Sequence, residues 1–409
     1  MSLPAVASGI APGTASPAPP SRSRVLWLSC VAHALHDGYT DMIYVLLPVW
    51  QAEFGLSYGA LAMLRGVYAG TMAFLQIPAG RLADTLGSRA TLALGTLLAA
   101  LGYALAGLSG SLVGLCAALA VSGSGSSTQH PLASGAVSRV YGRDARGPLG
   151  TYNFAGDIGK AALPAAISLL VTLMPWRHAL WLMAAVGCVA ALAIALFLPS
   201  IPRKAPAAET VPGPTRARGA KGFGLLLTIG VLDTAVRMGL LTFLPFLLQA
   251  KGVSAPMIGT ALALVFIGGA AGKFACGWLG ARMGVTGTVL ATEGGTAVCI
   301  VAVMFCPLVP AMVLLPLLGM MLNGTSSVLY GTVPDLAPAE GTERAFALFY
   351  TGTIASGAIA PVLYGFLGDQ IGIQAASFAT ALTALAIFPL AIALRSRVAT
   401  AETANTTTV

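Results

Sequence analysis

His33, Asp37, Asp41 and Tyr44 follow one another at steps of four, four and three, which on a helix stacks them on one face. An aspartate beside imidazoles is chemistry for carrying protons, because each group changes charge by one proton, and His36 adds a second imidazole next to Asp37. The competing reading is a fixed ion pair of Asp37 with Arg65 or Lys160 that ties helices together. Asp157 and Lys160 stand one turn apart in a glycine-rich stretch, and Asp233 and Arg237 stand four apart, so each pair can neutralise itself locally. Lys273 has no acid within a helical turn, which makes it a candidate for gripping an anionic solute or for gating. Gln129 and His130 precede Pro131, whose missing backbone donor loosens a helix, and Asn323, Tyr330 and Tyr350 supply neutral hydrogen-bonding groups.

These residues need a scaffold that hides charge from lipid. With 56% hydrophobic residues, 9% charged ones and mean hydropathy +0.84, the chain has too little polar surface for a soluble globule. Apolar stretches of spanning length run at 25–50, 56–79, 90–109, 112–139, 149–172, 178–199, 223–249, 255–279, 287–306, 309–333, 345–367 and 374–394, which predicts an all-α membrane protein of twelve transmembrane helices. Counted from Val25 at ~1.5 Å per residue, Asp37 lies ~18 Å deep, near the middle of a ~30 Å core. Asp37, Asp41, Arg65, Asp157, Lys160, Asp233, Arg237 and Lys273, if lipid-facing, would cost roughly 20 to 28 kcal/mol, more than the ~5 to 15 kcal/mol stability of a typical fold. They must line the interior.

The net charge of +8 reflects topology and not a nucleic-acid partner. Basic residues outside the spans, from Arg22 and Arg24 through Arg139, Arg143 and Arg146 to Arg395 and Arg397, fall on one side, and only Arg177 and Lys251 fall on the other. Both termini are therefore expected in the cytoplasm, with the chain in the inner membrane. Residues 1–22, rich in Ala, Pro and Ser, read as a disordered tail, 200–222 as a Pro-rich basic linker and 396–409 as a second tail, leaving six-helix bundles at 23–199 and 223–395. The six cysteines are scattered through apolar spans without paired spacing and the sequence shows no metal-ligand cluster, so neither metal nor cofactor is expected.

Pro48 and Pro245, Gly80 and Gly277, Gly87 and Gly284, and Pro164 and Pro361 all recur at one interval, 245 − 48 = 197, so the halves are copies. The run Gly80-Arg81-Leu82-Ala83-Asp84-Thr85-Leu86-Gly87-Ser88-Arg89 has the spacing G-x-x-x-D-x-x-G-x-R. It resembles the signature loop of the major facilitator superfamily, which implies two bundles rocking about a central site, with Gly80, Asp84, Gly87 and Arg89 as a cytoplasmic latch. In the second copy Ala281 stands where Asp84 stands, so the latch chemistry is expected mainly in the first half.

Within that superfamily the N-terminal half is similar to the fosmidomycin-resistance type of efflux transporter. The resemblance rests on His33 and Asp37, on Glu53-Phe54-Gly55-Leu56-Ser57, on Gly123-Ser124-Gly125-Ser126-Ser127 running into His130-Pro131, and on Gly156-Asp157-Ile158-Gly159 with Pro164. Asp157 stands where that family has Asn, and Leu163 where it has Gly. The resemblance implies export by proton antiport; the charges alone suit uptake of an organic anion equally well. No nucleotide-binding G-x-x-x-x-G-K-S/T loop appears, so ATP is not the expected energy source. The expectation is a monomeric, proton-coupled carrier of a small anionic solute, not an enzyme; a non-transporting sensor is the remote alternative.

Overall fold

The structure is a computed structural model that describes residues 21–200, 220–337 and 342–406. Residues 1–20 of the expected tail, 201–219 of the expected linker and 407–409 of the expected second tail lie outside the described residues. Described residues are almost entirely helical, with no strand among them. Spans 1 to 3 are Arg22–Phe54, Tyr58–Leu86 and Ser88–Leu108. Span 4 is assembled from Leu112–Ser126, a π segment His130–Ser134 and Gly135–Tyr141, and spans 5 and 6 are Arg146–Leu173 and Trp176–Phe197. The second half begins with span 7, Ala220–Gln249, and ends with spans 10 to 12, Leu308–Leu336, Thr342–Ile371 and Ile373–Thr406. The last helix therefore continues into the 396–409 segment.

Between spans 7 and 10 lies one helical run, Ala255–Phe305, of 51 residues. Straight, it would reach ~77 Å at ~1.5 Å per residue, against a ~30 Å hydrocarbon core. Gly284 breaks it, with φ 68° and ψ 176°, a backbone conformation that a side chain strongly disfavours. Spans 8 and 9 are its two arms, which completes twelve spans. By hydropathy and length alone nine helices qualify as spans among the described residues. The double helix counts once there, span 1 is diluted by its His and Asp residues, and span 4 is cut short by its own irregularity.

The duplication is visible in the backbone. Gly87, between spans 2 and 3, has φ 85°, and its counterpart Gly284 has φ 68°; Gly55 after span 1 has φ 63°, and Gly252 after span 7 has φ 82°. Both pairs sit 197 apart, so each sharp reversal is inherited at the same register. Pro48, Pro164, Pro245 and Pro361 all lie within helices.

The halves meet mainly through span 2 against span 11 and span 5 against span 8. An even number of spans puts the first and last helices' outer ends on one side, here called the terminal face. On the opposite face Asp369 of span 11 accepts from the Tyr58 and Gly59 amides at 2.7 and 3.0 Å, capping the start of span 2 with a carboxylate from the other half. Beside it the Ser168 hydroxyl of span 5 donates to the Ala255 carbonyl and accepts from the Gly259 amide at the start of span 8. The opposite face is thereby tied shut.

Candidate functional site

Two glycines decide how closely spans 1 and 5 approach. A Cβ at Gly159 would collide with the Ala34 carbonyl, and one at Gly156 would stand 2.6 Å from Asp37 Oδ2. With both bare, span 5 lies against the His33–Asp37 face, and Lys160 reaches Asp37 Oδ2 at 3.3 Å. His33 Nε2 approaches the same oxygen at 3.3 Å, while its Nδ1 pairs with the Tyr152 carbonyl at 2.8 Å. That carbonyl can only accept, so Nδ1 carries the proton and Nε2 offers a lone pair when the ring is neutral.

Span 4 supplies the other wall. Pro131 has no amide to donate, and the helix passes through it as the π segment His130–Ser134. The expected loosening is there, and it turns His130 toward span 1: its Nε2 lies 3.2 Å from His36 Nε2, and its ring packs edge-on to those of His33 and His36. His36 Nε2 is also 3.9 Å from Asp37 Oδ1. His33, Asp37 and His130 bring three potential ligand atoms within 4.8 Å of one another, a cluster that the sequence reading had not found. His130 sits 93 positions beyond Asp37 (130 − 37), so no local spacing could announce that it joins the pair.

Asp37, His130 and Lys160 open onto a cavity of about 300 Å³ between the two halves. Arg65 and Gln76 continue the wall on span 2, and Thr234, Arg237, Tyr330 and Tyr350 face them from the second half. On span 2 the lining runs from Arg65 toward Gln76 and on span 11 from Gly357 back to Tyr350, so the cavity extends from mid-depth toward the terminal face. Three of its side chains, Arg65, Lys160 and Arg237, are cations. Arg65 is only 4% exposed, stacked against Tyr44 and Tyr68 at 5.4 and 5.8 Å, and its Nε and Nη1 have no hydrogen-bond partner among the described residues. Arg237 Nε is likewise unpaired there. Buried guanidinium donors without acceptors are costly unless something fills them. Asp41 is buried one turn beyond Asp37, in the field of Lys160 and Arg65.

Several sequence expectations change. Asp157 does not pair locally with Lys160: it takes Lys273 of span 8, whose Nζ reaches its two oxygens at 2.6 and 2.7 Å, and Lys160 goes to Asp37 instead. Lys273, expected to lack an acid partner, thus joins the two halves, and it is not part of the cavity wall. Gln129 points away, donating to Thr96 Oγ1 at 2.7 Å, and Asn323 donates to the Gly319 carbonyl of its own helix at 3.0 Å. Asp233 forms no ion pair with Arg237 within 4 Å among the described residues; it is buried close to the equally buried Glu293 of span 9, beside Thr325, whose hydroxyl donates to Thr292 Oγ1 at 2.7 Å. Glu293, 2% exposed, escaped the sequence reading although it stands alone among apolar and small residues of span 9, the same signal that marked the other intramembrane acids. On the terminal face Asp84 and Arg89 are exposed beside Gly87.

The family model described as Major Facilitator Superfamily matches residues 29–232 and again 225–408. Among solved structures, a bacterial homolog of the human lysosomal transporter Spinster, inward-facing and unoccupied, aligns with TM-score 0.78 and 16% identity over 93% of this chain and 98% of that one. The occupied inward-facing form of that homolog gives TM-score 0.74 and 15% identity, over 92% of this chain and 97% of that one. A mutant of the nucleoside transporter NupG gives TM-score 0.75 and 14% identity, over 91% of this chain and 99% of that one. At such identities the likeness is one of fold. No curated protein matches the chain.

Proposed function

The chain belongs to the major facilitator superfamily, a transporter family and not an enzyme family, and from that premise we propose that it moves a small organic anion by alternating access, driven by protons. The observation that carries the solute class is Arg65, a buried guanidinium with unpaired donors on the wall of a cavity that Lys160 and Arg237 also line. The proton reading rests on Asp37, which sits among His33, His36, His130 and Lys160 at mid-span, where loss or gain of one proton rearranges every contact of the cluster. His130 and Lys160 are shared by cluster and cavity, so solute and proton act on common side chains.

With the basic loops in the cytoplasm, the terminal face is the cytoplasmic one and the conformation is inward-open, in the inner membrane. Export is the direction favoured by the likeness of the first half to fosmidomycin-resistance transporters. The Asp84 loop serves as the cytoplasmic latch, and one chain suffices for transport.

The test is flux in proteoliposomes against a panel of organic anions, phosphonates included, with and without an imposed pH gradient. Accumulation of an anion that depends on the gradient supports the reading. Transport that ignores the gradient removes the proton, and a preference for neutral or cationic solutes removes the anion.

A further inference from the structure

The histidine and aspartate cluster has a second property that proton carriage does not use. Zinc bound by nitrogen and oxygen at about 2.0 to 2.2 Å in a tetrahedral site places neighbouring donors about 3.3 to 3.6 Å apart. Here His33 Nε2 and Asp37 Oδ2 are 3.3 Å apart, His36 Nε2 and His130 Nε2 3.2 Å, and His36 Nε2 and Asp37 Oδ1 3.9 Å. We propose that His33, Asp37 and His130, whose donor atoms lie within 4.8 Å of one another, form a binding site for a divalent transition-metal ion of the zinc type in the wall of the central cavity, with His36 packed against it.

Three features besides spacing support it. The Tyr152 carbonyl holds the His33 Nδ1 proton, the outer contact that metal-binding imidazoles use to present Nε2. His36 Nε2 and His130 Nε2 share a hydrogen bond at 3.2 Å, one donating and the other accepting, and a cation that takes the place of the shared proton meets a lone pair on each ring. His33, His36 and Asp37 are buried, whereas His130 and Asp37 reach the cavity, which gives an ion a route in. Imidazole with a single carboxylate suits zinc, cobalt or nickel and not magnesium or calcium. Lys160 is the competitor. Its ammonium occupies Asp37 Oδ2 at 3.3 Å, but its side chain is 31% exposed and lines the cavity, so it has space to swing aside when a dication takes the carboxylate.

The inference shares Asp37 with the proton reading without depending on it, and the experiment keeps them apart by reading occupancy without any gradient. The full chain, purified without a histidine tag and stripped with chelator, is titrated with Zn²⁺ by calorimetry. One ion per chain is expected, with X-ray absorption showing nitrogen and oxygen ligands at about 2.0 to 2.2 Å. His130→Ala should weaken binding by at least the roughly 10- to 100-fold that loss of even an outer-shell partner costs, while His178→Gln, at an exposed histidine elsewhere, leaves it unchanged. Lys160→Met should tighten binding by about tenfold or more, as removal of a cation beside a carboxylate frees it for another, and misfolding does not imitate a gain. Absence of stoichiometric binding, sulfur in the first shell, equal affinity in His130→Ala, or no tightening in Lys160→Met each overturns the site.

Discussion

The two halves share a backbone and divide the charge unequally. At 197 positions' separation, Asp37 and Thr234 occupy equivalent places on spans 1 and 7, and Lys160 and Gly357 on spans 5 and 11; all four line the cavity. The first half puts an ion pair there, and the second puts a hydroxyl and a bare backbone. Behind the wall the pattern turns over. His36 faces His130 in the first half, while its counterpart Asp233 faces Glu293 in the second, and the counterpart of Glu293 is Thr96, which accepts from Gln129 and donates to the Leu92 carbonyl. Duplication thus supplied paired bends and crossing points, and side chains on that frame were free to diverge, since a helix keeps its path whichever residue faces the interior.

The largest effect that would break this comparison concerns coupling. Asp37→Asn keeps the shape and removes the ionisable group, so gradient-driven accumulation should vanish while exchange of solute without a gradient persists. Glu293→Gln, in the other half, should preserve accumulation because Glu293 neither lines the cavity nor belongs to the Asp37 cluster. Accumulation intact in Asp37→Asn, or lost in Glu293→Gln, would move the proton to the second half.

That asymmetry was only half legible in the sequence. Twelve spans, the repeat and the interior placement of the charges follow from hydropathy, a constant offset and the cost of charge in lipid, all of which act locally. Asp37, His130, Lys160 and Arg65 do meet around one cavity. Partners were harder, because a spacing of three or four proves only that two side chains can touch. Asp157 with Lys160 and Asp233 with Arg237 have that spacing, yet Asp157 takes Lys273 from a neighbouring helix, and Asp233 forms no ion pair with Arg237 within 4 Å among the described residues. Gly156 and Gly159 explain the first case: the close approach they permit delivers Lys160 to Asp37 and leaves Asp157 to Lys273.

Arginine substitutions sharpen the comparison at the next level. Arg65→Gln should weaken an anionic solute by ~1.5 to 3 kcal/mol, about ten- to 150-fold, if a charge-assisted bond is lost, and spare a neutral analogue. Arg237→Gln should cost less, since Arg237 is more exposed than Arg65 and water screens it better. Binding measured on purified protein decides this; a larger loss for Arg237 would place the anion in the second half.

The bridge between the halves should have a smaller effect, and of a different kind. Because the Lys273 side chain is 41% exposed, a double-mutant cycle of Lys273→Gln with Asp157→Asn should give a coupling of about 1 kcal/mol or less in thermal stability. Solute affinity should stay near the parent value, since neither residue lines the cavity. A selective loss of anion binding in Lys273→Gln would return that lysine to the site.

The smallest effect belongs to the loop where the copies differ most openly, Asp84 against Ala281. Gly87 and Gly284 hold the same reversed backbone, so the second loop keeps its shape without an acid, and the carboxylate is not what makes the turn. Its remaining role is to favour one conformation over another, and a group can shift such a balance only by the difference between its interactions in the two states. Asp84 is exposed here, and for a carboxylate that stays at the surface in both states the difference is a few tenths of a kcal/mol, about a twofold change in the ratio of states. Labelling of single cysteines at the mouths on the terminal and opposite faces, with the six native cysteines replaced, measures the ratio directly. Asp84→Asn should raise labelling on the terminal face if the acid helps to close that mouth in the alternate state, where its contacts differ from those seen here. Ala281→Asp should do less, because the second half has not been shaped around a carboxylate at that position. Equal shifts from both substitutions would mean that charge near either bend acts generically, and the latch would then be symmetric after all.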